Sequence, residues 1–450
     1  MYRSGVVSFR SKLARFSVPP HAADVPAPPP VPVPANRSGL LDDLRARMQT
    51  VLARSVHPAP PPAVDVPDLP FVTRETPLGP LHVRMQRLSP AHRTGRASLL
   101  PARGASAEVL ALLALDPSLA ACDPSRALYL DTETTGLHGG AGTVAFLVGL
   151  AYWDEGGPVG GGIVVEQLLV RALGDEAPML ERVAALIREA SMLVTFNGKS
   201  FDMPLLRTRF VMARMPIPIE PPHLDLLHVA RRIHKPRGVE CKLVAIERGV
   251  LGFERVDDVP SGEVSACYLH FLRTGETRSL LGVVEHNAWD VVAMAALVGL
   301  YGEPLGATGD ADAWAGSQLA ADDLIGVART LKRAGDLSRA MDAAHAAVSR
   351  GAGAESLRAR GEIAKSRGDR VRALADFEAL LAAVDDARVR LELAKLYEHY
   401  VKEPARALAM VERGLAEKEH LSVKRAARLG KKLARRTQTA LPGVGDRGKR

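Results

Sequence analysis

Three apolar runs rich in β-branched residues follow one another in the middle of the chain, each with the length of a strand. They cover 127–131, 143–153 and 162–170, and glycine-containing turns separate them. A helical pattern at 175–190 then leads to a fourth strand-like run at 192–196, and further helical patterns continue to about residue 300. Three adjacent strands, a crossover helix and another strand predict an α/β layered domain.

The segments on either side of this domain, which is predicted to span 71–302, have different patterns. Two proline clusters predict that residues 1–70 are largely disordered, with a helix at 38–54 that either docks or forms only transiently. After the domain, Gly335-Asp336-x-x-x-Ala340 recurs 33 residues later at Gly368 and again, degraded, 34 residues after that. This period resembles the tetratricopeptide repeat and predicts helical repeats over 318–420, which could bind a protein partner. A generic alanine-rich helical bundle is the alternative.

The net charge of +8 is concentrated at the C-terminus. Residues 421–450 contain ten basic residues and one acidic residue, so their charge is +9 and the rest of the chain sums to −1. This basic tail could hold a polyanion such as nucleic acid, or it could simply be solvated.

Cysteine use and hydropathy predict where the protein resides. The three cysteines are far apart and form no C-x-x-C pair, which favours a reducing, cytoplasmic setting. The most apolar runs, such as 291–301, are shorter than the ~20 residues of a membrane-spanning helix. We therefore expect neither a membrane span nor a membrane partner.

Two carboxylates stand at the end of the first buried strand. Asp131 and Glu133 are two residues apart, so both side chains point to the same face of that strand. Two close negative charges beside an apolar run are costly unless a cation lies between them. Carboxylate oxygens suit Mg²⁺ or Mn²⁺, and the pair therefore predicts a divalent-metal site.

Two further segments carry residues with the same chemistry. Asp202 follows a strand and a Phe-Asn-Gly turn, where it could cap the next helix, face the metal, or do both. His286 and Asp290 are spaced i, i+4 in a strongly apolar helical pattern, so they share one helix face. By themselves they could form a buried ion pair. Together with Asp131 and Glu133 they predict a metal-dependent active site.

Asp-x-Glu on a strand, Asp after Phe-Asn-Gly, and His-x-x-x-Asp on a late helix resemble the DEDD, or DnaQ-like, 3′→5′ exonuclease superfamily. The stretch 241–290 resembles the YprB-like ribonuclease H-like domain proteins more closely. The resemblance implies a ribonuclease H-like mixed sheet flanked by helices. It also implies an exonuclease that hydrolyses nucleic acid with two Mg²⁺ or Mn²⁺ ions.

The same resemblance implies roles for individual residues. Asp131 would bridge the two ions, Glu133 and Asp290 would complete the shell of one, and Asp202 would hold the other through water. His286 would take the proton of the attacking water. Four residues beside them are expected to contact the substrate: Thr132, Thr134, Asn197 and Lys199.

Two other functions remain open from the sequence. The nuclease-like domain could bind nucleic acid without cutting it, while the helical repeats serve as a scaffold for protein partners. Ribonuclease H-like folds also host endonucleases, so internal cleavage is a further possibility. The sequence leaves DNA and RNA equally open as substrates.

Overall fold

The computed structural model describes residues 68–136, 142–154, 156, 161–302, 314 and 317–440, with side chains through residue 436. The predicted disordered segment and helix within residues 1–67 lie outside this part of the chain. So do the final residues of the predicted basic tail, 441–450.

A seven-stranded sheet forms the centre of the α/β domain. In the order in which they lie in the sheet, the strands are β1 (Val72–Thr76), β2 (Gly79–Leu88), β7 (Gly162–Leu169), β6 (Ala145–Asp154), β5 (Ala127–Thr134), β8 (Met192–Thr195) and β9 (His223–Asp225). Strands β8 and β9 run parallel to β5, and the other pairs are antiparallel. The mixed sheet confirms the predicted fold class. A small hairpin of β3 (Arg93–Thr94) and β4 (Ala97–Ser98) lies apart from it.

Helices cover both faces of the sheet. Alternate residues of β5 point to opposite faces, so Leu128 and Leu130 pack with one helical layer and Tyr129 packs with the other. The first layer contains α3 (Ala177–Glu189) and α4 (Asp202–Met212). The second layer contains α1 (Leu100–Arg103), α2 (Ala107–Ala114), α5 (Leu226–Ile233), α6 (Leu243–Ile246), α7 (Val264–Thr274) and α8 (Arg278–Tyr301).

Helix α8 is the central helix of the second layer. It has 24 residues, and most of them are buried against the sheet. It is long and apolar enough to cross a membrane, whereas no such helix was expected from the sequence. Its most apolar window is 78% buried within the fold, as is common for the core helix of a soluble protein.

The rest of the described chain is entirely helical, as predicted. Seven helices follow, and each packs on the next: α9 (Ala321–Ala334), α10 (Leu337–Ser349), α11 (Ala354–Arg367), α12 (Arg370–Ala383), α13 (Ala387–Leu396), α14 (Pro404–Glu412) and α15 (Glu419–Ala440). The recurring Gly-Asp pairs have a local explanation. Gly335 and Gly368 end α9 and α11 with positive φ, and Asp336 and Asp369 then cap α10 and α12.

Helix α9 joins this helical region to the α/β domain. Gly326 lies against the backbone of Ile233 on α5, where a Cβ atom would come within 2.5 Å of the Ile233 carbonyl oxygen. Beside this contact, the carboxylate of Asp323 accepts hydrogen bonds from buried His234 and from Arg237. The helical region is therefore built into the same compact unit as the sheet.

Part of the predicted basic tail is a helix. Residues 419–440 form α15, and Leu429 is completely buried. Arg428 and Lys432 bind the buried carboxylate of Glu398, at 2.6 and 2.8 Å, while Arg425 binds Glu417. These basic residues are therefore occupied by acidic partners on the same fold, which the local charge count could not reveal.

Candidate active site

Strand β5 brings Asp131 and Glu133 to the sheet face that α8 covers. Both residues follow Tyr129 at the two-residue spacing of a strand, so they point to the same side. Helix α8 supplies Asp290 there, and burial together with the negative charge of Asp290 raises the pKa of both carboxyl groups on β5. The strand and the late helix thus bring together the residues that the sequence pattern paired.

Asp202 reaches the same cluster from the opposite helical layer. It is the first residue of α4 and is 7% exposed. Thr132 points to that layer and donates a hydrogen bond from its Oγ1 to Asp202 Oδ1 at 2.6 Å. Phe201 occupies the N-cap position of α4 without a side-chain capping bond, and the carboxylate of Asp202 interacts with its own backbone N–H and with that of Thr132. Its charge also acts on Asp131 and Glu133, so Asp202 belongs to the same acidic cluster.

His286 and Asp290 lie side by side on α8. The Nε2 atom of His286 is 3.5 Å from Asp290 Oδ2 and 4.0 Å from Glu133 Oε1. One ligand atom from each of these three residues lies within 4.8 Å of the other two, a spacing that could hold a metal ion. The donor set, two carboxylates and an imidazole, suits a divalent cation.

The pKa shifts of the clustered groups show that holding several ionised carboxylates together is unfavourable without a cation. Burial, reinforced by repulsion from Asp290, raises the pKa of Glu133 to about 7. Burial raises the pKa of Asp202 to about 6, and it raises the pKa of Asp131 well above its usual value, helped by Asp290, Asp202 and Glu133. Burial opposes the charge on His286, but Asp290 and Glu133 outweigh it and raise the pKa of the imidazole. A bound divalent cation would relieve this repulsion, so the residues fit one.

Two residues that the sequence analysis did not assign a role lie on the segment between α6 and α7. Asp258 Oδ1 is 2.6 Å from His286 Nδ1, and Arg255 donates hydrogen bonds to Glu247 and Asp290. Arg255 also lies 3.0 Å from His286 Nδ1, but Nδ1 cannot donate to Asp258 and accept from Arg255 at once. The shorter, charge-assisted bond to Asp258 sets the tautomer, with the proton on Nδ1 and Nε2 facing the carboxylates.

Two pockets flank the acidic cluster and share Phe196, Asn197 and Ser261. The first, about 260 Å³, contains the carboxylates of β5 and α4, and neither lysine nor arginine is among its described lining residues. The second, about 380 Å³, contains His286 and Asp290, together with basic Arg231 and Lys242. The site is thus a cleft in which the first pocket carries carboxyl groups and the second pocket also carries basic side chains.

The four predicted substrate residues are placed differently. Thr132 and Thr134 line the first pocket, where Thr132 holds Asp202 and Thr134 donates to the Gly136 carbonyl. Asn197 lies between the pockets in a turn with positive φ. The ammonium group of Lys199 instead lies 3.6 Å from Asp116, and Lys199 lines neither pocket.

Asp225 explains the shape of this turn. Its carboxylate accepts hydrogen bonds from the backbone N–H groups of Asn197 and Lys199, and it also caps α5 through Leu227. The contacts with the 197–199 turn depend on the pairing of β8 with β9, and β9 was not predicted.

Comparison with known proteins identifies the class of the α/β domain. Residues 128–301 match the RNase H superfamily. The chain is also 37% identical over 173 residues to the uncharacterized protein YprB of Bacillus subtilis strain 168. That similarity covers 38% of this chain and 40% of YprB, so the two proteins are similar over less than half of either length.

Fold, site and comparison together define an RNase H-like domain with a buried acidic cluster. Within this cluster, Glu133, His286 and Asp290 are spaced so that they could hold a metal ion. The similarity to YprB adds no activity, because that relative is itself uncharacterized.

Proposed function

We propose that the protein is a divalent-metal-dependent nuclease that hydrolyses phosphodiester bonds, acting as a 3′→5′ exonuclease by a two-metal mechanism. One observation carries this proposal: Asp131, Glu133, Asp202 and Asp290 meet beside His286, although they come from three separate elements. Burying four carboxylates together destabilises a fold unless cations compensate their charge. The RNase H-like domain makes nucleic acid the expected substrate.

The carboxylates would hold the ions. Asp131 interacts with the other three acidic groups, which supports the proposal that it would be shared between two Mg²⁺ or Mn²⁺ ions. Glu133 and Asp290 would complete one ion's shell, and Asp202 would hold the other through water. The bound ions would supply positive charge to the attacked phosphate and to the leaving 3′-oxygen.

His286 would act as the general base. Asp258 accepts the Nδ1 proton, so Nε2 carries the free lone pair and faces Glu133 and Asp290. A water bound at Nε2 would donate a hydrogen bond to it and lose that proton as its oxygen attacks phosphorus. Asp258 would also stabilise the imidazolium that forms.

The unequal pockets support release of single nucleotides. The first pocket, of about 260 Å³, has threonine and serine side chains and two aromatic walls, Phe196 and exposed Phe201. It suits one terminal nucleoside, whose base could stack on an aromatic ring. The basic second pocket would hold phosphates of the remaining strand through Arg231 and Lys242. The direction of attack, from the 3′ end, rests on the superfamily resemblance.

Three further parts of the proposal concern the protein's surroundings. The paired helices from α9 onward resemble tetratricopeptide repeats, and we assign them a protein-binding role. All three cysteines are unpaired, which supports a reducing, cytoplasmic location. The extensive burial of α8 supports a role away from membranes.

The decisive test is digestion of end-labelled DNA and RNA, single- and double-stranded, by the full chain with Mg²⁺ or Mn²⁺. We expect mononucleotides released from the 3′ end, and no product from the Asp131→Asn variant. Asp154→Asn is the matched control, because Asp154 is exposed and pairs with Arg87 away from the cluster. Internal cuts would indicate an endonuclease. Absence of product in every arm would favour the non-catalytic scaffold.

A further inference from the structure

A buried chain of hydrogen bonds crosses the sheet and ends on Asp131. Arg84 on β2 donates from Nη1 to Gln167 Oε1 at 2.9 Å. Gln167 on β7 donates from Nε2 to Asn287 Oδ1 at 2.9 Å, and Asn287 donates from Nδ2 to Asp131 Oδ2 at 2.9 Å. Gln167 is 1% exposed and Asn287 is 0% exposed, so water does not replace these bonds.

The two ends of this chain determine its direction. A guanidinium can only donate hydrogen bonds, so Gln167 must turn its oxygen to Arg84 and its NH₂ group to Asn287. The same NH₂ group donates to the Val284 carbonyl at 2.7 Å, which fixes the amide further. Because Asn287 accepts from Gln167 through its oxygen, it turns its own NH₂ group to Asp131 Oδ2.

The backbone of β6 leaves room for this arrangement. A Cβ atom on Gly149 would lie 2.3 Å from Asn287 Oδ1, so any other residue there would push the amide away. Arg84 is anchored to the same helix as Asn287 by Glu285, at 2.7 Å. This series of hydrogen bonds is therefore tied to α8 at both ends, and its middle is closely packed.

We propose that Asn287 is a positioning residue for Asp131, and that Gln167 and Arg84 orient its amide for this purpose. The amide binds one oxygen of the carboxylate and thereby sets the direction of the other, toward the shared metal position. The expected effect of this positioning on catalysis rests on the proposed function. The expected effect on metal binding does not depend on catalysis.

The test reverses the donor-to-acceptor order of these hydrogen bonds without removing them. In Gln167→Glu the carboxylate still accepts from Arg84, which also supplies its counter-charge, but it cannot donate to Asn287. The Asn287 amide must flip and present its oxygen to Asp131. The matched control, Gln167→Met, keeps a similar shape, forms no such bond and leaves Asn287 free to keep its NH₂ group on Asp131.

We expect Gln167→Glu to bind Mn²⁺ about 10- to 100-fold more weakly in titration calorimetry and to lower kcat by a similar factor, with the KM for nucleic acid unchanged. Gln167→Met removes the orienting bond without reversing it, so it should weaken Mn²⁺ binding and lower kcat clearly less than Gln167→Glu does. Thermal melting of each variant checks that the fold is intact. A general loss of packing would instead affect both variants alike.

Each outcome decides the inference. Wild-type Mn²⁺ affinity in folded Gln167→Glu overturns it, and so does an equal loss in both variants. If Gln167→Glu does not fold, Asn287→Leu takes its place, and unchanged Mn²⁺ affinity there overturns it as well. If the wild type cleaves nothing but Gln167→Glu still loses Mn²⁺ affinity, the proposed function fails while the positioning role stands.

Discussion

Asp258 and His286 form a part-buried acid–imidazole pair in which Oδ1 lies 2.6 Å from Nδ1. The two residues are 28 positions apart in sequence, and the segment between α6 and α7 brings the acid over helix α8. The pair directs Nε2 toward Glu133 and Asp290. A carboxylate behind a histidine fixes the tautomer and stabilises the protonated ring, so this contact determines what His286 can do.

Replacing Asp258 therefore tests the histidine's role. Asp258→Asn keeps the shape but removes the charge that holds the imidazolium, and we expect kcat to fall about 10²-fold with KM unchanged. Steady-state kinetics on a labelled oligonucleotide measures this. Asp257→Asn is the neighbouring control, because Asp257 is exposed and its positive φ suits asparagine equally well. Equal kcat values for the two variants would rule out a general base held by Asp258.

The stability of the metal-free protein should fall as pH rises. The pKa values of Glu133, about 7, and Asp202, about 6, lie above those of the unfolded chain, so the folded state binds more protons between about pH 4 and 7. Stability decreases wherever the folded state holds the additional protons. Urea denaturation with chelator should therefore give a more stable protein at pH 5 than at pH 8.

Saturating Mg²⁺ should reverse this difference, because the cation binds the ionised carboxylates of the folded state. Asp131→Asn, which removes one of the repelling charges, should flatten the slope seen in chelator. A metal-free protein that gains stability between pH 5 and 8 would contradict the clustered, repelling carboxylates.

Arg231 should contribute to substrate binding without affecting the chemical step. It is exposed and lines the basic pocket beside His286 and Asp290. Arg231→Ala should raise KM severalfold at unchanged kcat, and it should reduce the slope of log KM against log salt by about 1 for one lost phosphate contact. Arg188→Ala on α3 is the control, since Arg188 is exposed and pairs with Glu181 in the other helical layer. Identical salt slopes for both variants would show that Arg231 does not contact the phosphates of the nucleic acid.

Asp323 should be essential for stability although it is far from the chemistry. Its removal leaves His234, with an Nδ1–Oδ1 distance of 2.8 Å, and Arg237 without their buried partner. Breaking a buried ion pair in this way costs about 3–5 kcal/mol of unfolding free energy. We expect that loss for Asp323→Ala in chemical denaturation.

The next residue provides the comparison. Asp322→Ala removes the same charge from an exposed position on the same helix turn, and its effect should stay within about 0.5 kcal/mol. Because α9 is packed into the α/β domain, the sheet and helical regions should lose structure in one transition for both variants. A separate, earlier transition of the helical region would show that the Asp323 contacts do not join the two parts.

The sequence by itself determined the alternation of strands and helices and the residues that meet at the site. Periodicity located β5, β6, β7 and β8, and the two-residue spacing of Asp131 and Glu133 placed both on one strand face. These features can be predicted from the sequence because they depend on local geometry: the direction of the side chains repeats every two residues in a strand and every 3.6 residues in a helix.

Only the tertiary structure decided which groups support those residues. Asn287 and Asp258 carry no signal of their role in sequence, because their partners lie 156 and 28 positions away. The three-residue strand β9 was missed, and with it the contact of Asp225 with the 197–199 turn. The basic C-terminal residues were expected to be a tail, yet Arg428 and Lys432 bind Glu398. Hydrogen bonds and ion pairs between distant segments depend on how helices and sheet pack, and no local pattern encodes that packing.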